Sequence, residues 1–371
     1  MEQDLQARAL GLYIHIPWCL TRCPYCNFYA LPYSKAAFED YYALILMHKA
    51  LVLPMLDQPL TSVYFGGGTP SLLSSEMITE IIEDLPLADD AEITLEVNPI
   101  QITSPWVAKL HKSPINRLSL GIQSMFDDEL IYLGRKHHAK EIPEKLRILI
   151  DSGFENISGD LIYGLPHSSV DTLKKNLDKF LSLPLTHLSC YLLELDQEGK
   201  LAADRKLLPE DEKLEAQYKL IRHTLNDAGY RQYEISNFAL PGRESRHNLL
   251  YWKGDDFLAL GASASGYFRG IRYQNPPDLS AYRLQVNSGK ALGDEDPAQN
   301  EESDYIMMRL RLTAGLNLRE FRARFGKDFF ANREDHLRRM MQLGFLLKEG
   351  DILRLSSKAL FISNAVIGEI L

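Results

Sequence analysis

Cysteine is scarce in this chain, with four among 371 residues, and positive charge is outweighed, 41 Lys and Arg standing against 50 Asp and Glu for a net charge of -9. Long apolar runs are missing too. None approaches the ~20 residues that a helix needs to cross a bilayer, and the longest, around Tyr41–Met47, is core-sized. So few cysteines exclude a disulfide-stapled scaffold, and nothing at the N-terminus reads as a signal peptide, so a reducing, cytoplasmic setting is expected. The acidic balance excludes a broad nucleic-acid surface, and no nucleic-acid partner is expected. A row of Arg319, Arg322 and Arg324 has the spacing of a solvated helix face. What remains is the balance of a folded globular protein, 45% hydrophobic and 25% charged, too long for one average domain.

Three of the cysteines, Cys19, Cys23 and Cys26, share one short loop with the spacing C-x3-C-x2-C. Three thiolates leave one iron of a four-iron cubane without a protein ligand, open to a small molecule. A structural zinc site, with His15 or a distant residue as fourth ligand, is the competing reading, although zinc more often draws on two separated ligand pairs. The remaining cysteine, Cys190, stands alone in an apolar run.

From Gly11 to about residue 236, strand-like runs alternate with helical patterns. The predicted strands are 12–16, 62–65, 92–97, 117–120, 156–162 and 186–193. Helical periodicity is clearest over 209–228, where Leu214, Tyr218, Ile221 and Leu225 share a face and Gly229 stops the run. Six βα units imply a parallel sheet with right-handed crossovers, open or curled into a full or partial barrel. Residues 237–300 read as loop-rich. From Glu301 onward, two or three helices precede a hairpin over 345–355 that turns at Gly350-Asp351, a winged-helix-like pattern. The expected division is therefore 1–236, 237–300 and 301–371.

Barrel chemistry gathers at the C-terminal ends of strands, and polar residues recur there. After the second predicted strand come Gly66, Gly67, Gly68 and Thr69; three missing Cβ atoms suit either close backbone approach to a ligand or a tight strand-to-helix turn. Glu96, Gln123 and Asp160 lie at later strand ends, where they suit hydrogen bonds to a ribose or an amino group, and Arg135 could fork onto a carboxylate.

These motifs, with Tyr13-Ile-His-Ile-Pro-Trp-Cys19, Gly66-Gly-Gly-Thr-Pro-Ser71, Ser119-Leu-Gly-Ile-Gln-Ser124, Asp160-Leu-Ile-Tyr-Gly-Leu-Pro166 and Tyr233-Glu-Ile-Ser-Asn-Phe-Ala239, resemble the coproporphyrinogen oxidase group of radical S-adenosylmethionine (SAM) proteins nearly from end to end. The resemblance implies a radical SAM partial (β/α)6 TIM-like barrel of α/β class with a C-terminal α+β, winged-helix-like domain. It implies that Cys19, Cys23 and Cys26 ligate a [4Fe–4S] cluster and that Tyr13, Gly67, Gly68, Thr69 and Glu96 line a SAM bound to it. Tyr25, Gln123, Arg135 and Asp160 match contacts to a second SAM in the decarboxylating members.

Within the group the likeness is strongest to heme chaperones once assigned as oxygen-independent coproporphyrinogen III oxidases. The decarboxylase has a further cysteine two residues after the third; here that position is Phe28. It also has an N-terminal extension over its active site, whereas 18 residues precede Cys19 in this sequence. His247-Asn248-Leu-Leu-Tyr251-Trp252 resembles the H-N-x-x-Y-W motif of the chaperones, which implies heme as a further cofactor, with His247 as axial ligand and Tyr251 and Trp252 against the porphyrin. Local chemistry alone reads His247 and Asn248 as satisfying backbone groups and Trp252 as core. The expected partners are heme or a porphyrin, acceptor hemoproteins and a second copy in a homodimer, with peripheral membrane contact if the acceptors are respiratory. Decarboxylation of coproporphyrinogen III is the alternative activity.

Overall fold

The computed structural model describes residues 9–371. Six parallel strands succeed one another in space as they do in sequence: β1 (Leu10–Ile16), β2 (Leu60–Gly67), β3 (Leu87–Val97), β4 (Arg117–Gln123), β5 (Ile157–Tyr163) and β6 (His187–Leu192). Helices make each crossover, among them Lys35–Val52, Ser75–Ile82, Ser104–Leu110, Ile142–Asp151 and Val170–Leu181. The helix predicted over 209–228 forms as Asp211–Asp227, and Gly229 follows it at φ +87°, a backbone shape that glycine adopts without a Cβ penalty.

Side chains alternate across each strand, and here the two sets differ in kind. One set, including Leu12, Ile14, Val63, Phe65, Leu95, Leu118 and Leu188, is fully buried in the hydrophobic core. The other is buried yet polar: Ser62, Glu92, Thr94, Arg117, Ser119, Ser158, His187 and Ser189. Buried polar groups must find partners within the protein, and several of these find them across the lumen, although Arg117 Nε makes an ion pair without a hydrogen bond. Ser62 Oγ lies 2.8 Å from His247 Nδ1, Ser158 Oγ 2.7 Å from His187 Nδ1, and Arg117 Nε 3.8 Å from Glu92 Oε2. A polar lumen is thus closed off beneath the rim.

The stretch 237–300, whose turn residues suggest loops, is woven into the sheet. Strand β7 (Asp256–Leu260) lies parallel to β1, pairing Leu12 with Leu258, and Ser265–Phe268 and Ile271–Gln274 continue beyond it as antiparallel strands. On the far edge Asn237–Ala239 runs antiparallel to β6. These runs are only three to five residues long, too short for clear alternation against the Pro and Gly around them. With β6 and β7 each paired outward, the six-stranded unit stays an open, partial barrel.

Beyond it, helix Glu301–Arg311 leads to helices Leu318–Phe325 and Glu334–Gln342 and to a hairpin, Leu346–Glu349 with Ile352–Leu355, to which Leu316–Asn317 adds a third strand. The hairpin turns at Gly350, φ +60°. Arg319, Arg322 and Arg324 are paired with Asp351, Asp328 and Glu301. None of the described helices is long and apolar enough to cross a membrane.

Candidate functional site at the barrel rim

The loop carrying Cys19, Cys23 and Cys26 leaves β1 at the C-terminal edge of the sheet, with all three thiols half-buried and unpaired. The glycine run after β2 is packed against it. A Cβ on Gly68 would come within 2.9 Å of Trp18 O and 3.0 Å of Cys19 Sγ; one on Gly67, at φ +113°, would strike the His15 ring at 2.6 Å; and one on Gly66 would meet the Tyr13 ring at 2.8 Å. These glycines therefore make room for protein neighbours, and the neighbours are the site's own side chains. Thr69 donates from Oγ1 to Cys19 Sγ at 3.5 Å, and Arg135 donates from Nη1 to Cys23 Sγ at 3.7 Å. Donors aimed at thiolates stabilise their charge and tune a bound cluster.

His15 is engaged elsewhere than at the cysteines. Its Nδ1 lies 3.0 Å from the Tyr13 hydroxyl and its Nε2 3.0 Å from the Tyr29 carbonyl, so neither nitrogen is free. Among the described residues no three His, Cys, Asp or Glu converge on a single ion. Thiolates that each hold a different iron of a cubane need no such convergence. Three cysteines in one loop, with donors directed at two of them, fit a [4Fe–4S] cluster that keeps one iron for SAM.

Glu96 stands over this end of the barrel. It accepts hydrogen bonds from the Tyr64 hydroxyl at 2.9 Å and the Gly67 N–H at 3.1 Å. Burial, reinforced by the charge of Asp160, pushes its carboxyl up to about 7, against the pull of those two hydrogen bonds. Burial likewise pushes Asp160 up to about 6, opposed by Ser189, Arg117, Arg135 and Ser119. Two carboxyls raised towards neutrality on β3 and β5, the strands flanking β4, suit recognition of an amino group or a ribose.

The residues expected around a second SAM also come together. A register shift between β4 and β5 at Leu120/Gln123, with Gln123 at φ +69°, marks a bulge that re-aims this side chain. Gln123 Oε1 is buried without a hydrogen-bond partner. Arg135 donates from Nη2 to Gly121 O at 2.7 Å and to Asn98 Oδ1 at 3.3 Å. Tyr25 packs on Leu133, Ile162 and Leu165 and senses the charges of both Arg135 and Asp160. An orphaned acceptor beside a guanidinium is a setting that fits a polar ligand.

A cavity of ≈ 490 Å³ runs outward from Tyr13, Gly67 and Glu96 to helix Glu301–Arg311. Its outer walls are aromatic, formed by Phe28, Tyr251, Phe257, Tyr267 and Tyr305, with Met308 among them. Arg272 and Arg324 also line it, but each is matched by a carboxylate: Asp296 and Asp304 for Arg272, Glu301 for Arg324. The outer cavity was not legible in the sequence, because its residues come from short elements with no shared motif; the polar lumen could have been found from alternation along the strands.

The structure separates the members of the H-N-x-x-Y-W motif. They sit on helix Arg246–Lys253, capped by Ser245 and by Glu92, which accepts from the Arg246 and His247 N–H groups at 3.0 and 3.1 Å. His247 is fully buried and off the cavity. Its Nδ1 is held by Ser62, as noted, and its Nε2 lies 2.7 Å from the Tyr251 hydroxyl; burial pushes its pKa down to about 3. Trp252 also lies off the cavity, under the Arg311 guanidinium at 5.2 Å. Tyr251 alone of the three lines it. The cause is helical spacing, since residues four apart share a face and His247 lies deeper along it.

Residues 13–180 match the radical SAM superfamily and residues 302–362 the HemN C-terminal domain. The fold is shared with coproporphyrinogen III oxidase (HemN) from Escherichia coli, with a TM-score of 0.84 at 22% identity, over 98% of this chain and 90% of that one. The chain is thus of the radical SAM class, extended by a HemN-type C-terminal domain. It is 31% identical to the heme chaperone HemW of Lactococcus lactis, over 95% of each chain. To the Bacillus subtilis HemW it is 30% identical over 97% of this chain and 98% of that one, and to the Escherichia coli HemW 34% identical over 69% and 70%. By these likenesses it belongs to the HemW family.

Proposed function

We propose that the chain is a heme chaperone: it holds a [4Fe–4S] cluster on Cys19, Cys23 and Cys26, binds SAM at the rim, and receives heme in the adjoining cavity for delivery to acceptor hemoproteins. The observation that carries this reading is the ≈ 490 Å³ cavity with aromatic outer walls, opening beside the cysteine loop. Flat aromatic faces suit a porphyrin, and the volume lies in the range of sites for such ligands. Phe28, in the position where the decarboxylase has a further cysteine, is one of those walls and is 65% exposed, so it supports heme uptake over coproporphyrinogen decarboxylation. Membership of a family whose curated relatives bear the name heme chaperone supports the same reading.

Within it, Gly67, Gly68 and Thr69 shape the floor under SAM, Glu96 receives its amino or ribose groups, and Arg135 and Gln123 hold the far side. The bound cluster and SAM would supply electron transfer and a cleavable sulfonium; the chain's own residues bind, orient and screen them from water. The test is anaerobic. Reconstituted protein is given reductant, SAM and coproporphyrinogen III, and in parallel ferric heme followed by an apo-hemoprotein. Unchanged coproporphyrinogen with heme bound and then transferred is the expected result. Vinyl products, or no heme binding by cluster-loaded protein, would overturn it.

A further inference from the structure

We infer that the outer cavity sorts tetrapyrroles by where their carboxylates lie: it admits heme with the apolar edge leading and both propionates left in water, and it turns away porphyrins that carry a carboxylate on every pyrrole. The inference deepens the heme-binding reading above and rests on it. Four acids line the cavity, Glu96, Asp255, Glu301 and Asp304, against two arginines, and no lysine is among the described lining residues. Neither arginine is open to a further anion. Arg324, with 12% of its side chain exposed, directs Nε and Nη2 to Glu301 at 3.1 and 2.8 Å, Nη2 also to the Tyr267 hydroxyl at 2.7 Å, and Nη1 to the Gly254 carbonyl at 3.3 Å. Arg272 gives one Nη to Asp296 at 2.8 Å and the other to Asp304 at 3.3 Å. Its Nε is buried, with no surface for a ligand to reach. The N-terminus of helix Glu301–Arg311 offers no seat either. Asn300 Oδ1 accepts from the Ser303 N–H at 3.1 Å, and Glu301, Glu302 and Asp304 occupy the first turn, where a ligand carboxylate would otherwise be drawn.

A carboxylate pushed between these walls would lose its water, gain no donor and lie among like charges, at a cost of several kcal/mol. Heme escapes that cost. Its two propionates share one edge, so the opposite edge, with only methyl and vinyl groups, can lie against Phe257, Tyr267 and Tyr305 while the carboxylates stay at the mouth beside exposed Phe28. A coproporphyrin has a propionate on each of its four pyrroles. No edge of it is free of charge, and every approach brings a carboxylate to the acids. The aromatic walls supply contact area, and the acids decide which tetrapyrrole can use it, an arrangement in which specificity comes from repulsion of the wrong ligand. This selection works against tetracarboxylates by a means independent of Phe28.

Full-length protein with its cluster reconstituted is titrated anaerobically with ferric protoheme, which is then displaced by ferric coproheme and by protoheme dimethyl ester. Protoheme should bind at least about tenfold more tightly than coproheme, and the diester at least as tightly as protoheme. Protoheme is also the more apolar of the two acids. The preference is therefore measured again in Glu301→Gln and Asp304→Asn, each of which removes a carboxylate beside a guanidinium, after circular dichroism and iron content establish that each has folded. There it should shrink about threefold or more. Coproheme bound as tightly as protoheme, a diester bound about tenfold less tightly, or a preference unchanged in both variants would each overturn the inference. If the variants do not fold, the coproheme and diester titrations of wild type decide. Wild type that binds protoheme and coproheme alike sinks only this inference; wild type that binds no heme sinks the chaperone reading itself.

Discussion

At the barrel rim Cys19, Gly67, Glu96 and Gln123 lie at or just after the ends of four successive strands, whereas the outer cavity draws Tyr251, Phe257, Tyr267, Tyr305 and Arg324 from five elements after residue 245. The rim is polar and tightly cross-bonded, with Glu96, Gly67, Tyr64, Arg135 and Asn98 joined by hydrogen bonds. The cavity wall is aromatic and held by packing, and its charges are already neutralised in pairs. On the proposed reading, the difference separates two tasks. A small zwitterion needs donors and acceptors at fixed places, while a broad, flat ring system needs surface area and few directional contacts.

That division can be broken by substitution. The largest effect belongs to the cysteines: Cys19→Ala, Cys23→Ala or Cys26→Ala should each abolish retention of iron and sulfide, measured chemically and by visible absorbance, while leaving the aromatic cavity folded. Retention of a full cluster by any of the three would dissolve the rim as described. Next comes the floor shared by both regions. Arg117→Met removes the cation beside buried Glu92, leaving that carboxylate only its helix N–H partners, and should cost up to about 3–5 kcal/mol, read as a lowered denaturation midpoint.

Glu96→Gln sharpens the comparison through pH. Its carboxyl is raised from 4.5 to about 7 in the folded chain, so between these values the native state binds more protons than the unfolded one, and stability falls as pH rises through that window. The variant removes this slope. It should match wild type near pH 4.5 and exceed it above pH 7 by about 1–2 kcal/mol in ligand-free protein, while binding SAM less well. A variant no more stable than wild type at pH 8 would show that Glu96 is not strained by burial. The smallest effect is expected at the cavity mouth: Phe28→Ala should weaken heme binding about tenfold or less, as loss of one aromatic contact does, with cluster content untouched. Equal losses of heme and cluster would mean that rim and cavity are one site.

Much of the barrel was legible in the sequence because strong local signals agreed with the fold. Each of the six predicted strands forms, with ends displaced by up to five residues, and the cysteine loop and Glu96 fall on one rim. What was not legible follows from distance and spacing. Strand β7 is short and lies next to β1 across some 245 residues of chain, a pairing that no local pattern can announce. The motif at His247 gave the residue types but not their depth; only the helix, and the Ser62 and Tyr251 bonds at its two ring nitrogens, show which side chain meets the cavity. The glycine run was open between ligand approach and tight packing, and the close neighbours His15, Tyr13 and Cys19 favour packing.

The pairing of β1 with β7 also bears on how the chain comes into being. During synthesis, β1 and its cysteine loop emerge first, and β2 can cover one side of β1 early. Its other edge waits until residues 256–260 leave the ribosome, at ≈ 5–20 residues per second a delay on the order of ten to fifty seconds. Throughout that interval an apolar strand presents unpaired backbone groups, the kind of edge that recruits other chains. Metallation of the loop would best follow closure by β7, so that a ribosome-stalling or truncating lesion after residue 240 should yield aggregated, iron-free product rather than a trimmed but loaded barrel.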